Sequence, residues 1–151
     1  MSLYPVAGSK IFIGGVKSDQ EDDFDASDFA AESWTEIDGW TQMGALGDSA
    51  ALITTSLINR NRDIKQKGTK NAGSMQCVFA HIATDEGQIA LIAASQANDN
   101  YAFRVDFTDG TKRYFVGLVM NAIEAGGEAN TIRNLQSTIE INSNIVSVPA
   151  S

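Results

Sequence analysis

Residues 101–120, YAFRVDFTDGTKRYFVGLVM, constrain the fold more tightly than any other stretch of the chain. Tyr101, Phe103, Val105 and Phe107 alternate with Arg104 and Asp106, and a period of two places successive side chains on opposite faces of a strand. The apolar set points inward and Arg104 and Asp106 point outward. Asp109-Gly110 supplies the residues of a tight turn, and KRYFVGLVM (112–120) brings the chain back, so the whole stretch reads as an antiparallel hairpin.

Other segments supply further strands. KIFIGG (10–15) is a short first strand, and SWTEIDGWTQMGAL (33–46) forms one or two more around Trp34, Ile37 and Trp40, broken at Gly39 and Gly44. SMQCVFAHI (74–82) puts Met75, Cys77, Phe79 and His81 on one face and Val78, Ala80 and Ile82 on the other; apolar on both sides, it needs cover from a helix or from another subunit. TIRNLQSTIEI (131–141) sets Leu135, Ser137, Ile139 and Ile141 on a shared face, after a loop across EAGGEAN. The one helix is TDEGQIALIAASQAN (84–98), with Asp85 and Gln88 at capping-box spacing, acids in its first turn and Asn98-Asp99-Asn100 as its stop. The fold class is mostly β, an antiparallel sandwich or partly closed barrel with one flanking helix. At 151 residues and 43% hydrophobic content the chain fits a single domain, residues 1–151, with arms at about 1–9 and 143–151.

One run stands against the chain's overall charge. There are 19 acidic residues to 11 basic ones, yet NRNRDIKQKGTKN (59–71) holds Arg60, Arg62, Lys65, Lys67 and Lys70, five of the eleven cations. Lacking apolar periodicity, residues 47–73 are expected to form a long exposed loop bounded by Gly47, Gly68 and Gly73, and loops of that length inside a compact domain are usually functional or partly disordered. The run carries no aromatic residue to stack on bases, and an acidic chain disfavours general binding to phosphate backbones. Self-complementarity is the economical reading: the cations of one copy dock on the anionic surface of another, a heterologous contact that builds rings or open stacks.

No catalytic constellation assembles. Cys77 alternates with Met75 and Phe79, as a packed core thiol does, and His81, four residues on in an extended strand, lies roughly 13 Å from it, too far for a dyad. His81 itself reads as a satisfied strand or rim residue. Asp19, Glu21, Asp22, Asp23, Asp25 and Asp28 lack the glycine and terminal Glu spacing of an EF-hand and read as a solvated acidic loop. A single cysteine leaves no internal disulfide and no cysteine-based zinc cluster. The glycine pairs at 14–15 and 126–127 lack phosphate-loop spacing. No cofactor, metal or catalytic residue is expected. No apolar stretch reaches membrane-spanning length and the start lacks a secretory pattern, so a soluble protein made in the cytoplasm is expected.

Residues 60–146 resemble the tail tube proteins (major tail proteins) of long-tailed, lambda-type phages. The likeness lies in an ordered series: a strand after a charged, Gly-containing loop, a helix opening on Asp85-Glu86-Gly87-Gln88, the alternating Tyr101-x-Phe103-x-Val105 strand, the Asp109-Gly110-Thr111 turn, and the strand with Phe115, Gly117 and Val119. It implies a β-sandwich flanked by a helix, six subunits to a ring, and rings stacked into a tube. DNA would pass through the lumen without sequence-specific binding, other tail proteins would meet the tube ends, and the protein would be assembled in the host cytoplasm and reside in the virion tail. Arg60, Arg62, Lys65, Lys67 and Lys70 would then lie on a subunit-interface loop. Related tubes in contractile tails, gene transfer agents and type VI secretion, or a non-enzymatic ligand-binding β-sandwich, are the alternatives.

Overall fold

The hairpin expected at 101–120 is the centre of the sheet. A computed structural model of the protein describes residues 3, 5–18, 22–47 and 49–149; Asp19 and Glu21 of the acidic stretch, and the outermost residues of both arms, lie outside them. In chain order the strands are β1 (Lys10–Val16), β2 (Thr35–Ile37), β3 (Trp40–Gln42), β4 (Ser49–Thr55), β5 (Ile64–Asn71), β6 (Ser74–Ala80), β7 (Tyr101–Asp106), β8 (Lys112–Ala125), β9 (Asn134–Ile141) and β10 (Val146–Val148), with helix α1 (Glu86–Gln96) and a 3-10 turn at Ala26–Phe29. β7 and β8 pair with Phe103 opposite Phe115, rings stacked 5.4 Å apart. At the turn Gly110 takes φ +92° and Asp109 Oδ1 accepts from Thr111 N and Oγ1 at 3.0 and 2.6 Å. Those bonds, the hydroxyl's first, hold the Asp109 carboxyl below its ordinary range.

The main sheet runs β2-β1-β7-β8-β9-β6-β3, with β10 also on β8, and every pairing is antiparallel. Its two end strands, β2 and β3, are neighbours in sequence, joined through Asp38 and Gly39. The sheet therefore has to fold over on itself until its edges approach, as in a sandwich, while no ladder closes it into a barrel. Gln88 ties that junction: 1% exposed, it donates Nε2 to Asp38 O and Ala80 O at 2.8 Å and accepts from Ile82 N at 2.9 Å. Asp85 caps α1 as its position implies, accepting from Gln88 N at 3.0 Å. The reciprocal half of the capping box is absent, because the Gln88 side chain is committed to the sheet.

Inside the fold Ile11, Ile13, Phe79, Phe103, Val105, Phe115, Leu135 and Ile139 pack with Leu91 and Ala94 of α1. The shared face of β9 is buried as its alternation requires, and Ser137 joins it by donating to Asn121 O at 2.9 Å. The other face of the sheet departs from the sequence reading. Arg104 and Asp106 point away from the core but not freely into solvent: they pair at 3.1 Å, and the guanidinium lies 4.0 Å from the Phe12 ring centroid. Beside them, Phe24 and Phe29 cover Ala102 and Val116 together with Trp34 and Tyr114. The acidic stretch is thus not simply a solvated loop. Its aromatics seal the outer face of the sheet while Asp22, Asp23 and Asp25 stay exposed, and Asp25 and Asp28 form a full capping box around the 3-10 turn.

Within the arm expected at about 143–151, the chain's last described segment is tied to the sheet. β10 pairs with the first residues of β8, an edge that β9 leaves open because it ladders only from Gly117 onward. Asn144 then accepts from Phe24 N at 2.8 Å and donates to Phe24 O at 2.9 Å. At the other end, Pro5 O accepts from Thr108 Oγ1 at 3.1 Å.

Candidate subunit interface

The segment expected as a loop at 47–73 is a β-ribbon. β4 and β5 pair antiparallel from Ser49 opposite Asn71 to Thr55 opposite Ile64 and join no other strand. At about 3.3 Å per residue the ribbon is about 25 Å long. Neither strand shows the apolar-in, polar-out alternation of a half-buried strand, so no pattern in the sequence marks them: there is no core beside the ribbon to impose one, and all of β4 is exposed. Of the three expected glycine bounds Gly68 instead lies inside β5, and the other two stand at the exits. Gly47 and Gly73 both take positive φ, 148° and 75°, at the two exits, while the adjoining Leu46 and Ala72 pack against the core and anchor the root.

Register decides what the ribbon presents. Residues directly opposite share a face, so Ala50, Leu52 and Thr54 sit with Lys70, Lys67 and Lys65. Counting alone would put Lys70 opposite to Lys65 and Lys67. An extra residue on β5 between the Ala50 and Leu52 pairings, a bulge at Gly68-Thr69, returns it to their side. The reverse face carries Ile53 and Ile64, with the Ile53 side chain lying over Gly68, where an added Cβ would come within 3.3 Å of it. Arg60 and Arg62 are elsewhere, in the connection at the tip, where Ser56 Oγ donates to Asp63 Oδ1 at 2.7 Å and Arg60 N to Leu57 O at 3.2 Å. The five cations thus form two groups, three on one face and two at the apex.

Among the described residues none of the five makes a salt bridge, whereas Lys17, Arg104 and Arg133 on the body each hold a carboxylate. Apolar residues not expected from the sequence accompany them: Leu52 is 68% exposed and Ile58, at the tip, 108%. The signal was ALI at 51–53 and LI at 57–58, aliphatic pairs out of place in a solvated loop.

The remaining candidates sit apart from this surface. Cys77 is buried on the core side of β6, and burial pushes its thiol up to about 11, so no thiolate forms near neutrality. His81, with a side chain 9% exposed, lies just past β6 between Glu124 (Nε2 to Oε1, 3.0 Å) and Arg133 (Nδ1, 3.2 Å). Since a guanidinium only donates, Nδ1 accepts and the ring proton sits on Nε2, directed at Glu124. That arrangement fastens the β8–β9 connection. Among the described residues no group of His, Cys, Asp or Glu is placed to hold a metal ion.

The whole-chain shape identifies the architecture. A sheath/tube terminator of the PVC extracellular contractile injection system superposes with a TM-score of 0.71 at 12% identity, over 99% of this chain and 99% of that one. The SPP1 tail tube superposes at 0.70 with 13% identity, over 97% of this chain and 81% of that one. The chain has the tail-tube fold. The cap that terminates the tube of the anti-feeding prophage shares the fold too, at 0.67 with 13% identity, over 99% of this chain and 95% of that one. By sequence, no established family profile and no curated protein matches the chain.

Proposed function

We propose that the chain is a structural protein that assembles into hexameric rings, and that these stack into a tail tube serving as a conduit for DNA during ejection. The observation that carries this reading is the β4–β5 ribbon: on a tail-tube fold it extends about 25 Å, pairs with no other described strand, and leaves nearly all of its residues exposed. Unpaired strand edges and exposed aliphatic residues are what natural monomers avoid, and a neighbouring subunit is the cover that makes them stable. A formal charge of −8 suits the bore, because cations lining it would bind phosphates and slow passage. On this reading the protein resides in the virion tail, meets other tail proteins at the tube ends, touches DNA without reading its sequence, and catalyses nothing. The likeness to a contractile injection system supports a second version of the same role, the inner tube of a contractile particle.

Electron microscopy and sedimentation of the purified protein over a range of concentrations test the proposal. Rings and stacked tubes are the expected outcome. A protein that stays monomeric throughout, with its ribbon equally mobile at every concentration by amide exchange, refutes it.

A further inference from the structure

We propose that the lysine face of the β4–β5 ribbon seats on the acidic segment 22–38 of a second copy of the chain, an inference that rests on the tube reading and names the partner surface of its arm. The ribbon sorts its side chains. Lys65, Lys67 and Lys70 line one face, and Ile53 and Ile64 the other, so the cationic face is a defined surface rather than a scatter of loop charges.

Charge selects the occupant. Residues 49–71 hold five cations and one acid, a net +4, which leaves −12 on the remainder of a chain of formal charge −8. The acids are as concentrated as the cations: residues 22–38 contain Asp22, Asp23, Asp25, Asp28, Glu32, Glu36 and Asp38 and no Lys or Arg. Within one copy the two surfaces share a cleft of about 410 Å³ at the root of the ribbon, lined by Lys70, Asp22 and Asp23. Lys65 is five residues farther out, roughly 16 Å along the strand at about 3.3 Å per residue. That is about twice the Debye length of about 8 Å at physiological ionic strength, so its own acids are screened from it. A second copy brings the same acids to the outer lysines, and the contact, joining different surfaces of two identical chains, propagates.

Charge exchange tests this on the full chain. One variant carries Lys65→Glu and Lys67→Glu. The other carries Asp22→Lys and Glu36→Lys, exposed acids whose side chains make no hydrogen bond or ion pair among the described residues. Lys65→Gln with Lys67→Gln serves as a milder third. Circular dichroism establishes that each is folded, and sedimentation with electron microscopy reads assembly. Each charge-reversed variant alone should need at least a tenfold higher concentration to assemble than the unmodified protein, and the glutamine variant an intermediate one. An equimolar mixture of the two reversed proteins should co-assemble near the unmodified concentration, since each ribbon then meets a segment of opposite sign. Either reversed variant assembling normally by itself, or a mixture that shows no rescue, overturns the inference while leaving the tube reading intact. Failure of the unmodified protein to form rings or tubes in the same experiment overturns the tube reading itself.

Discussion

Replacing Gln88 by Ala should be among the most damaging single changes at a polar residue of this chain. The side chain is 1% exposed and serves three backbone groups: Asp38 O, Ala80 O and Ile82 N, at 2.8, 2.8 and 2.9 Å. Removing one partner of a buried hydrogen bond costs about 1–3 kcal/mol when the other is left unsatisfied. Ile82 and Ala80 are only half-buried and Asp38 is exposed, which places each loss at the low end. Alanine recovers a few tenths of a kcal/mol through helix propensity, so the net loss is a little under about 3 kcal/mol, about a hundredfold in the folding equilibrium. With a urea slope of about 2 kcal/mol per molar, the midpoint should fall by about 1.5 M. The measurement is urea denaturation at a concentration below assembly, so that association does not mask the change. Gln88→Glu keeps the volume but sets a carboxylate oxygen against two carbonyl oxygens. The buried carboxyl's pKa should rise, so this variant should be least stable at neutral pH and recover as the pH falls and the group is protonated. A Gln88→Ala protein within 1 kcal/mol of the unmodified one would show that the junction between β2 and β3 does not depend on this side chain.

Gly87→Ala should also destabilise, by about 1–3 kcal/mol despite alanine's better helix propensity, because the new Cβ would press into the backbone of Glu36 and Ile37 and push α1 off β2; thermal denaturation reads it. Cys77 should react with a thiol reagent slowly in the native protein and at the ordinary rate in denaturant, since burial both hides it and raises its pKa to about 11; rapid native labelling would contradict its place in the core. Asp25 is held below 3.8, chiefly by the Ser27 hydroxyl, so its stabilisation of the 3-10 turn should be present above its unfolded pKa and lost as the pH falls through the lower folded value. Asp25→Asn should flatten that acid limb, and an unchanged limb in pH-dependent unfolding would count against the cap.

The sequence determined what depends on neighbours along the chain. The 101–120 hairpin, the buried face Leu135-Ser137-Ile139-Ile141, the start of α1 at Asp85 and the glycines flanking the 47–73 excursion all follow from period, turn chemistry and capping, which act over a few residues. The concentration of cations in 59–71 was equally plain, since it is a property of composition. Tertiary structure alone decided what depends on distant partners. Phe24 and Phe29 are anchored because a curled sheet offers them Ala102 and Val116, far along the chain. Gln88 leaves its capping role because folding brings Asp38 and Ala80 within its reach. The lysine face exists because a one-residue bulge reverses the parity between Lys67 and Lys70, and a register shift is set by pairing across two strands, which no pattern along a single strand encodes.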